Sequence, residues 1–480
     1  MKQTLSMIMA GGKGSRLVPL TCHRAKPSVP FGGRYRIIDF VLSNFVNSGY
    51  RNIYVLTQYM ASSLISHISR NWHLPGIGEG IQVVPAQMRM GEHWYKGTAD
   101  SIYQNLNLIR DVKPKYVAVF GGDHIYKFAI NQMEEQHKNT NADLTVAVFP
   151  VPLEEASQFG VIQVNQHNQI VGFQEKPKNP TPMPNNPKMC LVSMGNYFFN
   201  ANVLESALIE DAKDPNSRND FGHNIIPKLV AEGADVRVYD FSQNKIPGDP
   251  VNSTPYWRDV GTVESYFVAN MELRSALPSL NMYNRNWRIR TAQRDYPPVR
   301  FVKHDNFSQV ECINSLVCEG SIISCDKLHK SLIGYDCFLH AGAVVDQCIA
   351  FSGCDIGAKA RLSRVIMDKN CSIASGAVIG EDFETDSTRF PFITPSGIVV
   401  LPKGTHVPAE GPIEFSRDMA FSLEKDPTVQ PILKQFQNAY EIRSTDRHSH
   451  DSAGPRYRRF GPGTLKSGSL YNISTKQRTQ

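Results

Sequence analysis

Between Leu316 and Ala377, aliphatic or small residues recur every six positions, as Leu316, Ile322, Leu328, then Ile333, Leu339, Val345, then Ala350, Ile356, Leu362, then Val365, Cys371, Ala377. A six-residue period matches neither the 3.6-residue helical turn nor the two-residue pleat of a flat strand. It suits a parallel β-helix with three hexads to a coil, each coil covering the open face of its neighbour. The count slips between triplets, so the repeats are imperfect. Gly334, Gly342 and Gly357 fall where such a coil turns a corner. The chain has nine cysteines and no C-x-x-C pair, and seven lie from Cys312 to Cys371. Cys312 and Cys318, and Cys348 and Cys354, share the six-residue spacing, which makes them small residues of the coil interior rather than disulfides or zinc ligands.

The N-terminal part follows a different rule. Over roughly the first 275 residues, strand-like and helix-like segments alternate, as in an α/β domain: Leu5–Met9, Asn52–Thr57, Tyr116–Phe120 and Leu144–Pro150 read as strands, and Ala61–Ser69 as a helix. The first strand runs into MAGGKGSRLVPLTCHRAKP, Met9 to Pro27. Gly11, Gly12 and Gly14 leave no Cβ in the way, so successive backbone N–H groups can face a polyphosphate. Arg16 and Lys26 add positive charge to the same anion. The spacing is not that of a Walker A loop, because Lys13 is followed by Gly14, and not that of a dinucleotide fingerprint, because position 17 is Leu.

The Tyr116–Phe120 strand leads into Gly121-Gly122-Asp123-His124, and open α/β sheets bind ligands at the carboxyl ends of their strands. Asp123 is the first candidate for a metal ligand, with Asp259 of PYWRDVGT as its partner. Mg²⁺ held by one or two carboxylates offsets the charge that a polyphosphate brings to such a site. Either aspartate alone reads more readily as a turn former after a strand; beside the glycine loop the balance reverses. Glu175-Lys176-Pro177 follows the strand-like Ile170–Phe173, leaving a compact ammonium at the strand mouth for a phosphate monoester. Gly160 allows a close approach, and Ser193 sets a hydroxyl two residues before Gly195.

The Met9–Pro27 stretch resembles the AGGxG[ST]RLxPLTxxRAKP signature of sugar-1-phosphate nucleotidyltransferases. GEHWYKGTADSIYQN (Gly91–Asn105), RAKPSVPFGGRYRIIDFVLSN, ASQFGVI, FQEKP, SMGNY and PYWRDVGT narrow the resemblance to the bacterial glucose-1-phosphate adenylyltransferase family, over about 400 residues. The resemblance implies a Rossmann-like domain with a mostly parallel sheet, followed by a left-handed parallel β-helix. It implies the reaction of ATP with α-D-glucose 1-phosphate to ADP-glucose and pyrophosphate, the committed step toward glycogen. By the same resemblance Tyr95, Gly160, Glu175, Lys176 and Ser193 would contact glucose 1-phosphate, Asp123 would be the catalytic metal-binding acid, and Arg16 and Lys26 would hold the ATP phosphates. The family is usually homotetrameric and regulated by small anionic metabolites. Another sugar phosphate or nucleotide, and a non-catalytic regulatory subunit of the same fold, are the alternatives; the presence of Arg16, Lys26, Asp123, Lys176 and Asp259 together argues against the second.

Two regions depart from the family pattern. Relatives activated by fructose 1,6-bisphosphate commonly carry Lys-Arg-Ala-Lys-Pro, and here the first position is His23, leaving Arg24 and Arg36 as the permanent charges of an effector site. Pro30 and Asp111 stand where such relatives have basic or polar residues. The expected outcome is an altered effector response. The chain is 480 residues long and divides into a catalytic domain over 1–275, a connector over 276–305, a β-helix over 306–404 and an extension over 405–480. In that extension Ile432, Leu433, Phe436 and Tyr440 read as one short helix, followed by a disordered tail. From Arg447 onward seven basic residues face Asp451 alone, which accounts for the whole net charge of +6. The body is balanced, so nucleic acid is not an expected partner. No apolar run approaches a membrane span and no cleavage region precedes the glycine motif, so the expected location is the cytoplasm.

Overall fold

The computed structural model describes residues 3–74, 80–89, 91–183, 186–303, 310–437 and 439–443. The basic tail and its expected disorder lie outside the described residues. Nine strands build the first sheet: β1 (Thr4–Met9), β2 (Asn52–Thr57), β3 (Gly80–Pro85), β4 (Tyr116–Gly121), β5 (Leu144–Pro152), β6 (Gly160–Val164), β7 (Ile170–Glu175), β8 (Met189–Asn200) and β9 (Val236–Asp240). Their order is β7-β6-β8-β4-β1-β2-β3, with β5 beside β8 and β9 beside β5. The β3-β2-β1-β4 half is parallel, as expected of strands joined by helices. The long β8 runs antiparallel to β4, β5 and β6, so the whole sheet is mixed.

Parallel strands covered on both faces need apolar residues at every position, and β4 reads YVAVFG with Val117 through Phe120 fully buried. Register then places the site. Met9, the last residue of β1, pairs with Gly121, the last of β4, so the two loops that follow leave the sheet side by side. A two-stranded ribbon completes the arrangement: Trp257–Asp259 pairs antiparallel with His124–Tyr126, setting Asp259 opposite His124.

Beyond residue 299, three parallel ladders form the faces of the β-helix. Partners in adjacent coils run Cys312, Leu328, Val345, Leu362, Ile379 on one face, and Ile323, Leu339, Ile356, Ile373, Val407 on another. A coil is therefore 16 or 17 residues rather than the 18 of three full hexads, which is the slip seen in the sequence. Between Ile373 and Val407 the step doubles to 34 residues, because one coil carries an excursion containing the helix Phe383–Arg389. In the first coil the inward residue is Ile323; Ile322 is only half-buried. Eight of the nine cysteines are buried as expected, but Cys312, assigned to the interior by its spacing, is exposed.

Among the described residues the extension holds two helices, Arg417–Lys425 and Gln430–Gln435, where the sequence suggested one. Ser416 caps the first, its side chain accepting from Met419 N–H. Tyr440, expected on a helix, begins the strand Tyr440–Ile442 instead. One continuous apolar cluster joins Leu17 and Leu20 after the glycine loop, Ile333 and Leu339 of the β-helix, and Met419 and Leu423 of the extension.

Candidate active site

The turn after β1 is built around Gly14. Its φ of 66° is left-handed, and a Cβ there would lie 2.8 Å from Lys26 Cβ. Thr21 Oγ donates to the Gly14 carbonyl at 3.0 Å and fixes the loop base. A Cβ on Gly12 would meet nothing within 4 Å, so that glycine faces open space where a ligand can approach. Gly11 lies against Gln58, just past β2.

Lys26 is 7% exposed, and its ammonium lies 3.0 Å from Asp123 Oδ2 and 2.9 Å from Asp259 Oδ1. Burial alone would lower the pKa of Lys26, but the two carboxylates outweigh it and raise it. Burial would likewise raise the Asp123 pKa; the Lys26 ammonium, then His124, hold it well below the usual carboxylate range instead. Asp123 is therefore ionised at neutral pH. The exposed Arg16 completes the group: a Cβ on Gly261 would stand 2.9 Å from both an Arg16 guanidinium nitrogen and Asp259 Oδ2.

Two converging carboxylates suit a hard divalent cation that takes its remaining ligands from phosphate and water. Among the described residues no cluster of three or more histidine, cysteine or acidic side chains forms a metal site. The two carboxylates are therefore an open donor pair for a divalent cation rather than a closed all-protein cage.

The sugar-side candidates lie across β6, β7 and β8. Gly160 pairs with Glu175 in register, and a Cβ on Gly160 would come within 2.5 Å of Phe173 Cζ and 2.9 Å of Glu175 Oε2. The glycine is there to admit that ring and carboxylate. Lys176 is 60% exposed, pairs with Glu175 at 2.9 Å, and takes a φ of 46°, an uncommon backbone state for a residue with a side chain. Ser193 Oγ accepts from Gly195 N–H at 3.2 Å, at an irregularity in β8 between Ser193 and Tyr197. Tyr95 is tied to the nucleotide side, its N–H donating to Gln58 Oε1 at 2.6 Å and its hydroxyl accepting from Asn105 at 3.0 Å.

Sequence reasoning passed over four residues that the fold brings to this place. Trp257 Nε1–H donates to His124 Nδ1 at 3.4 Å, so His124 turns Nε2 toward Asp123 and Asp259, 3.7 and 3.9 Å away. Gln58 joins the glycine loop to Tyr95. Asp220 accepts from Thr98 Oγ at 2.8 Å and from Gly222 and His223 N–H, holding Gly222 against Phe173 and Glu175. His124 and Trp257 stood inside quoted motifs; Gln58 and Asp220 had no periodic or motif signal.

The effector candidates sit apart, toward the β-helix. Arg24 donates to both oxygens of Asp368, at 2.9 and 3.0 Å. Arg36 donates to Ser63 O, Ser63 Oγ and Ser28 Oγ. Lys369, which sequence reasoning did not single out, has its pKa lowered to about 7 by burial, then by Arg24 and Arg36, with Arg294 adding to the effect. His23 is pushed below its ordinary value by burial, then by Lys403 and Arg24, and is neutral at pH 7.

A model of the nucleotidyl transferase family matches residues 5–276, and a GlmU-like C-terminal hexapeptide model matches 297–401. Glucose-1-phosphate adenylyltransferase 1 of Vibrio vulnificus (strain YJ016) is 47% identical over 408 residues, 85% of this chain and all of the relative. The glucose-1-phosphate adenylyltransferase of Photobacterium profundum is 47% identical over 84% of this chain and 98% of its own length. That of Deinococcus deserti is 44% identical over 84% and 98%. With a glycine loop and Asp123 following adjacent parallel strands, Asp259 brought to them by the antiparallel ribbon, and a hexapeptide β-helix further along the chain, the chain belongs to the glucose-1-phosphate adenylyltransferase family of nucleotidyl transferases.

Proposed function

We propose that the protein transfers the adenylyl group of ATP to α-D-glucose 1-phosphate, releasing pyrophosphate, in α-glucan synthesis. The observation that carries this is Lys26 clasped by Asp123 and Asp259 beneath the glycine loop. Backbone N–H groups at Gly11, Gly12 and Gly14 receive the triphosphate, and Arg16 meets the charge that grows on the departing pyrophosphate. Lys26 offsets one of the two carboxylate charges and so lessens the repulsion of the incoming nucleotide. Asp123 and Asp259 would hold Mg²⁺, which when bound supplies the charge that makes the α-phosphorus attackable.

On the sugar side, Lys176 binds the phosphate as a point charge, Glu175 and Ser193 engage sugar hydroxyls, and Tyr95 closes the wall nearest the nucleotide. The attacking group is a phosphate oxygen already ionised near neutral pH, so the chain supplies alignment rather than a general base. A pyrophosphate-release assay with glucose 1-phosphate and ATP, UTP, GTP or dTTP is the test. Turnover with ATP is expected, and no turnover with ATP overturns the reading.

The same proposal includes an anionic effector at Arg24, Arg36 and His23, supported by Lys369 crowded among guanidinium groups. A homotetramer in the cytoplasm completes it. Among the described residues no helix is long and apolar enough to cross a membrane, and none of the nine cysteines is in a disulfide.

A further inference from the structure

The glycine loop is touched from an unexpected direction. Lys13, between Gly12 and Gly14, sets its ammonium 3.6 Å from Asp426 Oδ1 and over the ring of Tyr59. Asp426 follows the helix Arg417–Lys425; its side chain is 7% exposed, and its Oδ1 also accepts from Thr428 N–H and Oγ–H at 2.9 and 2.7 Å. One helical turn earlier, Ser422 Oγ stands 3.5 Å from His23 Nδ1. On the same helix, Met419, Ala420 and Leu423 bury in the cluster that contains Leu17, Leu20 and Cys22. All of these C-terminal residues lie past residue 401, where the hexapeptide match ends.

We propose that the segment from Ser416 to Gln435 is a strap on the nucleotide loop, in which Asp426 competes with the triphosphate of ATP for Lys13. The apolar contacts anchor the strap, and the ion pair sets how much of the loop's positive charge is free. A carboxylate beside a polyanion site also adds negative potential there, so its removal and the release of Lys13 act in the same direction. The strap gives the extension a role that the tail's basic composition did not suggest: lowering affinity for nucleotide.

This inference rests on the loop being the ATP site. The test is Asp426→Asn, which removes the charge while keeping the Oδ1 acceptor for Thr428, so the turn after the helix survives. The KM for MgATP is expected to fall about two- to fivefold, the range of a partly exposed ion pair, with the KM for glucose 1-phosphate unchanged. Adding Lys13→Met to Asp426→Asn is expected to abolish the gain. An unchanged or raised KM for MgATP in Asp426→Asn overturns the strap, as does a gain that persists without Lys13. Should Asp426→Asn fail to fold, Ser422→Ala with hydrogen exchange of residues 10–18 replaces it, and unaltered protection there also overturns the proposal. Absence of ATP turnover in the unaltered protein would instead remove the functional reading beneath it.

Discussion

Arg24, two residues before Lys26, donates from two guanidinium nitrogens to the carboxylate of Asp368, 344 positions further along the chain. Neither side chain is more than 5% exposed, so this pair fastens the catalytic loop to the β-helix from inside. Arg24→Met leaves Asp368 charged and alone, and the expected loss is about 3–5 kcal/mol of stability, read from denaturant unfolding. The double variant Arg24→Met with Asp368→Leu should recover more than half of that loss. A double variant as unstable as the single one would mean the pair is not the fastening.

Lys26 should matter to rate more than to substrate affinity. Lys26→Met is expected to lower kcat by about 10²-fold or more, the scale of removing one preorganised charge from a reacting phosphate. Asp123→Asn should be at least as damaging, and undiminished ADP-glucose synthesis in that variant would remove it from the metal site. Steady-state kinetics with magnesium in excess separates these effects from loss of fold.

Gly14→Ala tests the loop itself. The new methyl meets Lys26 Cβ in a left-handed backbone, at an expected cost of about 1–3 kcal/mol, together with a raised KM for ATP. Gly12→Ala, with open space around its Cβ, should cost little stability and act only on nucleotide binding. Thermal melts with and without ATP distinguish the two.

Lys369 sets a pH window. Its folded pKa of about 7 lies below the unfolded value of about 10.4, so between these limits the unfolded chain holds a proton that the folded one lacks, and stability rises with pH. An anion seated among Lys369, Arg24, Arg36 and Arg294 returns that proton. Calorimetry at pH 8 in buffers of different ionisation enthalpy should therefore show proton uptake on binding a sugar bisphosphate, with affinity falling as pH rises. Binding with no proton exchange at pH 8 would take Lys369 out of the effector site.

Local chemistry was legible in the sequence; distance along the chain was not. Strands β1, β2, β4 and β5 fall within two residues of where alternating and continuous apolar runs put them, because those runs answer to burial alone. The glycine loop was visible because its backbone needs are confined to a few consecutive residues. The closure of Lys26 on Asp259 spans 233 positions and depends on the ribbon that pairs Trp257–Asp259 with His124–Tyr126, which neither strand advertises. Asp220 was silent for the same reason: its partners Thr98 and Gly222 acquire meaning only once the two segments meet. Helix Arg417–Lys425 escaped notice because only Met419, Ala420 and Leu423 are buried, too few for a clear period. The 17-residue coil shows how a correct hexad reading can still miss phase, since each coil drops one or two residues that a strict count of eighteen retains.

The apolar cluster running from Leu17 through Ile333 to Leu423 has no seam at the connector. A change of volume deep in the β-helix must be absorbed by the residues that shape the nucleotide loop, so the two halves drift together or not at all. Excising the catalytic half would strip the back of its own loop, and a graft from a relative would have to bring its matching interior along.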